Sequence, residues 1–326
     1  MKKYKAKANA NIALIKYWGK ENEELIIPNT SSLSLSLDAL YTETKVSFID
    51  SKKDKFYLND QEQGEDELVK LSKYIDLFRD LSKNDKRVLV ESYNHVPTAA
   101  GLASSASAYA ALATALNALF ETDLSQKDLS IMARRGSGSA SRSIYGGIVE
   151  WEKGHDHESS FAKKIDNPGL DMAMIIVLVN KNKKSISSRQ AMKTTMATSP
   201  LYESYIKHSK KDLEAIKEAI KNKDFKKVGE ITEHNAMQMH ATIISSNPPI
   251  IYFEEDSIKA INKVRELRSK GIPAYLTMDA GPNVKILIQK SDADKVMEEL
   301  LKDYKESDLI YSDIASEDAS VEVLEC

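Results

Sequence analysis

The stretch PTAAGLASSASAYAAL at 97–112 joins a proline, one glycine and paired serines to an alanine-rich run. Leu102, Ala106, Tyr109, Ala113, Leu116 and Phe120 follow helical spacing, which predicts a helix that begins near Ser104. The first N–H groups of such a helix have no intrahelical partner and carry the positive end of its dipole. Small residues from Pro97 through Gly101, Leu102 and Ala103 to Ala106 would let an anion approach that backbone, and Ser104 and Ser105 add hydroxyl donors. The chemistry is phosphate binding. The same residues also suit a small-residue turn packed on a neighbour. No lysine follows in the G-x-x-x-x-G-K-[ST] manner.

Three further stretches offer polar chemistry. RRGSGSASRS (134–143) is a second Gly/Ser nest, with Arg134, Arg135 and Arg142 as candidate anion partners. It fails the G-x-G-x-x-G pattern, because Ser141 stands at the third glycine, and it also reads as a flexible loop. NIALIKYWGK (11–20) sets Tyr17, Trp18 and two lysines after a predicted strand; Trp18 there also fits a core position. TMDAGPN (277–283) ends a strand on Asp279 at a Gly-Pro turn, a place where aspartate either stabilises the turn or is held at a rigid loop tip for function. A weaker stretch, SISSRQAMKTTMATS (185–199), reads as a helix start capped by Ser185 or Ser187. The histidines show no paired metal spacing, and HDH (155–157) reads as surface loop.

These residues need elements to hold them. Strands are predicted over 4–16 and 33–49, where LSLSLDAL gives one apolar face and one small polar face. Further strands are predicted at 86–94, 146–154, 172–180, 272–279, 283–288 and 308–313. Helices are expected at 65–83, from Ser104 to about Phe120, and from a Ser125/Asp128 capping box to about Arg135. Others are expected between Ser187 and Ser245 with breaks near Pro200 and Lys223, and over 255–270 and 291–304. Mixed order with antiparallel signals favours α+β over a doubly wound parallel sheet. A chain of 326 residues fits one large unit or two lobes, which we divide at 1–183 and 184–326.

Composition excludes little but points one way. The chain is 42% hydrophobic and 29% charged with a net charge of −3, so nothing in bulk favours nucleic acid or an anionic membrane. Its one cysteine, Cys326, permits no disulfide framework and no Cys-based zinc site, and a reducing cytoplasm is expected. Asn9, Asn11 and Lys16 interrupt the N-terminal apolar run, so neither a signal peptide nor a membrane span is expected.

Together the motifs resemble the GHMP kinase superfamily and, within it, the diphosphomevalonate decarboxylase family. PTAAGLASSA is similar to the superfamily's P-x-x-x-G-L-[GA]-S-S-A phosphate loop, with Ala103 where its kinases usually carry Gly. NIALIKYWGK, ARRGSGSASRSIYGG and MDAGPNV resemble the decarboxylase branch, and the likeness runs from about residue 5 to about 315. The resemblance implies an N-terminal lobe of mixed sheet and helices, a C-terminal α+β lobe and a deep cleft between them. It implies ATP and Mg2+, a homodimer, and phosphorylation of the 3-hydroxyl of (R)-mevalonate 5-diphosphate followed by loss of phosphate and CO2.

Carried onto this sequence, the resemblance makes Asp279 the residue facing the 3-hydroxyl, with Lys16 beside it. Arg142 becomes the partner of the substrate carboxylate, oriented by Asn11. Tyr17, Trp18, Gly19 and Lys20 form one wall of the substrate pocket, and Ser137, Gly138, Ser139 and Ala140 cradle the 5-diphosphate. Ser188, Arg189 and Thr195 belong to a closing helix, and Lys70 reaches in from its own. Pro97 and Gly101 to Ala106 would bind ATP, with Ser105 a contact of Mg2+. The rival readings are a superfamily kinase that stops at the phosphate ester, a 5-monophosphate decarboxylase or 3-kinase, and an ATP-binding regulator without catalysis.

Overall fold

The computed structural model describes residues 2–95, 104–180 and 186–324. Pro97, Gly101, Leu102, Ala103 and Ser185 lie outside the described residues. The strands are β1 (Lys3–Ile15), β2 (Lys20–Asn22), β3 (Ile27–Pro28), β4 (Ser32–Ile49), β5 (Lys55–Leu58), β6 (Gln61–Glu62), β7 (Arg87–His95), β8 (Ile148–Trp151), β9 (Ala162–Ile165), β10 (Ala173–Val177), β11 (Ala274–Met278), β12 (Val284–Ile288), β13 (Leu309–Asp313) and β14 (Ser320–Leu324). The helices are α1 (Glu65–Ser82), α2 (Ser104–Leu119), α3 (Gln126–Gly136), α4 (Ser188–Thr198), α5 (Tyr202–Lys221), α6 (Phe225–Ile244), α7 (Glu255–Ser269) and α8 (Ala293–Leu301). The class is α+β, as expected. β5 beside β7 is a parallel pair, whereas β1, β4, β7 and β8 pair antiparallel.

The first sheet runs β14-β1-β4-β7-β5-β6, with β8 and β9 branching from β4. One of its faces packs under α1, α2 and α3, through residues such as Val46, Phe78, Leu116 and Leu129. The second sheet is β11-β12-β10-β13, with α7 and α8 packed on it. A third body of apolar side chains joins the two, from Ile12, Leu14, Leu33 and Leu35 across to Ile216, Val228 and Leu287. The lobes therefore share a core.

The register of β1 on β4 jumps from Asn9↔Tyr41 to Ala10↔Leu37. Before the jump Ala6 and Ala8 pack beneath the helices. Beyond it Ala10, Ile12 and Leu14 enter the interlobe core. Alternation then sends Asn11 and Ala13 to the opposite side, where both line the cleft. In β4 the Leu/Ser alternation does the same work: Leu33, Leu35 and Leu37 fill the interlobe core, while Ser32 and Ser34 face away.

Local signals placed most helices. Glu65, Asp66 and Glu67 suit the positive end of α1. The Ser125 hydroxyl caps α3 by accepting the Asp128 N–H at 3.2 Å. The expected breaks fall between α4 and α5 and at Lys223, whose φ is 56°.

Strand pairing runs across the expected division at 183. β10 hydrogen-bonds to β12 and β13 and so belongs to the second sheet, although it precedes that boundary. β14, assigned to the second lobe, returns to β1 with Lys3 opposite Leu324.

Candidate active site

A cavity of about 410 Å³ opens between the lobes. It is lined by β1, the Tyr17–Trp18 turn, α1, α2, the Gly/Ser segment, α4, α6 and the turn after β11. The second Gly/Ser stretch folds as a 3-10 helix over Gly138–Ile144, not a loose loop. Gly138 is required there, because a Cβ would meet Trp151 Cη2 at 2.8 Å and Tyr17 Cε1 at 2.9 Å. A row of hydroxyls crosses the cavity wall. Ser105 Oγ is 3.3 Å from Ser137 Oγ, which is 3.4 Å from Ser139 Oγ.

Arg142 rises from this segment and is 2% exposed. Its Nε and Nη2 donate to Asn11 Oδ1 at 3.2 and 3.1 Å. Nε also donates to Ser34 Oγ at 3.0 Å, and Nη1 donates to Ser32 Oγ. The small polar face of β4 is thus the socket of this arginine. Asn11 is itself fixed, since its amide donates to Ser139 O at 3.0 Å and Ser143 Oγ at 2.8 Å. Burial pulls the guanidinium down to about 10 against the attraction of Asp279, so it stays charged at neutral pH. Each terminal nitrogen carries a second N–H, enough to hold a planar carboxylate from the cleft.

Facing it stands a charged triad. Lys16 Nζ donates to Asp279 Oδ1 at 2.7 Å and to Ala13 O at 2.9 Å. Lys285 Nζ lies 3.1 Å from Asp279 Oδ2. Both lysines are 2% exposed, whereas the Asp279 side chain keeps 31% of its surface toward the cleft. Burial alone would raise the Asp279 carboxyl, but the two ammonium groups outweigh it and hold it well below the usual carboxylate range. Lys16 is lowered to about 8, because burial outweighs the pull of Asp279.

The Tyr17–Lys20 turn is built for its place. Gly19 has φ 104°, and a Cβ there would meet the Tyr202 hydroxyl at 1.7 Å. That hydroxyl donates to Trp18 O at 2.9 Å, and the Tyr205 hydroxyl donates to Lys16 O at 3.1 Å. Trp18 is both core and cavity wall. The Tyr17 ring packs on Trp151 at 4.8 Å, and burial raises its phenol. Lys20 lines the cavity and pairs with Glu23 at 3.2 Å.

Other expected residues divide. Ser188 and Arg189 line the cavity at the start of α4, where the Ser187 hydroxyl caps by accepting the Gln190 N–H at 3.2 Å. Thr195 lies behind them, fully buried, and donates to Ala191 O at 2.8 Å; it does not reach the cavity. Lys70 does line the cavity, but it is exposed and paired to Glu67 at 2.7 Å. Ala140 and Ala106 are buried and present no side chain to it. Arg134 leaves the expected anion cluster. It is buried elsewhere, donating to Leu25 O at 3.1 Å and to Ser160 O, with His157 Nδ1 at 2.9 Å. His157 is therefore this arginine's partner and not simple surface.

Sequence reasoning missed Glu67, Tyr109, Met192 and Met239, which line the cavity, and Lys285. Lys285 had a signal, a single lysine inside the apolar run VKILI. It also missed a second cavity of about 360 Å³ lined by Phe56, Leu58, Leu71, Val90 and Leu112. This one meets the first at Glu67, Ser105 and Tyr109.

Comparison with known proteins settles the kinship. Residues 8–162 match the diphosphomevalonate decarboxylase-like N-terminal domain, and residues 174–323 match the mevalonate 5-diphosphate decarboxylase C-terminal domain. The chain belongs to the diphosphomevalonate decarboxylase family. The family's enzyme from Candida albicans is 37% identical over 315 residues, covering 91% of this chain and 87% of that one. The crystal structure of mevalonate diphosphate decarboxylase from Staphylococcus aureus superposes with a TM-score of 0.94 at 48% identity, over 99% of this chain and 98% of that one. A second decarboxylase structure, MDDEF in complex with MVAPP, AMPPCP and magnesium, has a TM-score of 0.92 at 46% identity over 99% of both chains. The C-terminal match takes in most of β10, which pairs within the second sheet, and most of β14, which pairs with β1.

Proposed function

We infer that this cleft carries out the reaction for which its family is named. ATP phosphorylates the 3-hydroxyl of (R)-mevalonate 5-diphosphate. Loss of that phosphate with CO2 gives isopentenyl diphosphate, ADP and phosphate. The observation that carries the reading is the opposition, across one cavity, of a buried arginine and a carboxylate held ionised by two buried lysines.

Arg142 holds the substrate carboxylate in the plane needed for C–C cleavage. Asp279 orients the 3-hydroxyl. A carboxylate held so low is a weak base in the ground state, so it takes the proton late, once bonding to phosphorus has made that O–H acidic. Phosphorylation makes the 3-oxygen a leaving group. The electrons of the breaking C–C bond form the new double bond as phosphate departs, which requires no further electron sink. The serine row at 137 and 139, with Lys20 and Arg189, receives the 5-diphosphate. The apolar cavity beside Tyr109 suits the base of the nucleotide, and the start of α2 its phosphates.

Among the described residues no group of three or more His, Cys, Asp or Glu could hold a metal ion. The Ser105 hydroxyl, a hard oxygen donor on the cavity wall at the start of α2, would suit Mg2+ bound chiefly by phosphate and water. Bound there, the ion neutralises phosphate charge. For assembly and place we propose a homodimer in a reducing cytoplasm, supported by the family resemblance and by Cys326 as the single cysteine. Among the described residues no helix is long and apolar enough to cross a membrane.

The test is substrate choice. CO2 release from the 5-diphosphate, the 5-monophosphate and free mevalonate is measured with purified protein and Mg-ATP. Release from the 5-diphosphate at the highest kcat/KM is expected. Preference for the monophosphate, or a phosphate ester with no CO2, would overturn the reading.

A further inference from the structure

The buried lysine of β12 helps keep Asp279 ionised but meets neither substrate nor nucleotide in the proposed reaction. Taking an ammonium out of water costs several kcal/mol unless its partners compensate. Lys285 stands opposite Thr277 in the β11–β12 ladder, two residues before Asp279, so all three share one face. Its Nζ lies 3.1 Å from Asp279 Oδ2 and donates to Asn283 O at 3.3 Å. Lys16, from the other lobe, holds Oδ1 at 2.7 Å. Each carboxylate oxygen is thus tied to a different buried cation, and the group cannot rotate about Cβ–Cγ without breaking both contacts. We propose that Lys285 is a positioning residue for the reaction: it pins the second oxygen of Asp279, so that the carboxylate meets the substrate hydroxyl in one fixed orientation. The proposal rests on the reading that Asp279 faces that hydroxyl.

The arrangement has an electrostatic signature. The groups facing Lys16 are Asp279 and Lys285 from the β11–β12 hairpin, Arg142 from the 3-10 segment and His240 from α6. Burial, with the Lys16 charge added, pulls His240 down to about 4, so it is neutral at working pH. Lys16 sits near 8 because burial dominates, and Lys285 and Arg142 push it the same way. Removing the Lys285 charge therefore lets Lys16 keep its proton to higher pH.

The experiment uses the full chain with Lys285→Gln, which keeps a hydrogen-bond donor without charge, and Lys285→Met, which keeps only length. Binding of an ATP analogue checks that each variant is folded. In Lys285→Gln kcat is expected to fall about tenfold, more in Lys285→Met, with KM for the 5-diphosphate within about threefold of wild type. The alkaline limb of the kcat profile is expected to move to higher pH in both. If the Met variant does not fold, the Gln variant decides. Wild-type kcat and an unmoved alkaline limb, with Asp279→Ala inactive, would overturn this role and leave the reaction standing. An active Asp279→Ala would instead overturn the reading on which it rests.

Discussion

Asp54 and Asp279 each meet a buried cation, and the difference between them separates structure from chemistry. Asp54 is sealed, with 1% of its side chain exposed. Its oxygens are taken by Arg79 Nη2 at 2.5 Å, the Val88 N–H at 2.8 Å and the Ser72 hydroxyl at 2.8 Å. Nothing is left to offer a ligand. Asp279 has two cations behind it and an open side toward the cleft. A saturated pair fixes α1 on the first sheet. A pair with one side open leaves charge facing the cleft, at the cost of keeping two lysines dry.

The comparison is broken most sharply at Asp279. Asp279→Ala is expected to lower turnover by about a thousandfold or more while binding of an ATP analogue survives. Near-wild-type turnover in a steady-state assay would make this aspartate structural, like Asp54. Arg142→Ala comes next. Loss of the carboxylate clamp is expected to reduce decarboxylation about a hundredfold or more, with poorer substrate binding. Unchanged kcat and KM would remove the clamp from the account.

The sealed pair gives the converse. Asp54→Ala leaves the buried Val88 N–H without its acceptor and Arg79 with Asp76, at 2.7 Å, as its remaining carboxylate, and should cost about 1–3 kcal/mol in denaturant unfolding, with kcat nearly unchanged below the melting range. A large loss of kcat at unchanged stability would erase the distinction. The smallest effect is one of pH. The folded chain releases the Lys16 proton near 8, whereas the unfolded chain keeps it to about 10.5. Between those values the unfolded state binds more protons, so this group adds stability as pH rises, while turnover should fall. Unfolding curves of wild type and Lys16→Met across that window check the sign, since only wild type should show this increment.

The motifs were legible because each is a local pattern: a small-residue helix start, a Gly/Ser nest, a Gly-Pro turn after a strand. The Leu/Ser alternation of β4 also foretold a small polar face, though not that Arg142 would occupy it, because the two are 108 residues apart. Partners at that range are chosen by tertiary packing, which also drew Arg134 away from its neighbours toward Ser160 and His157. β10 was correctly read as a buried strand, but apolar sequence does not say which sheet buries it. The short strands β5, β6 and β9 carry too few residues to show a period, and β14 is a mostly exposed edge. Lys285 was visible and passed over, since a lone lysine in an apolar strand needs a buried anion to face it.

The most direct test follows ADP and CO2 together in one reaction of purified protein, Mg-ATP and (R)-mevalonate 5-diphosphate. One CO2 for each ADP is expected throughout the time course, because the phosphorylated intermediate would fragment in the same cleft that made it. ADP formed without CO2 would contradict it, and would make this cleft that of a kinase whose arginine clamp does not lead to C–C cleavage.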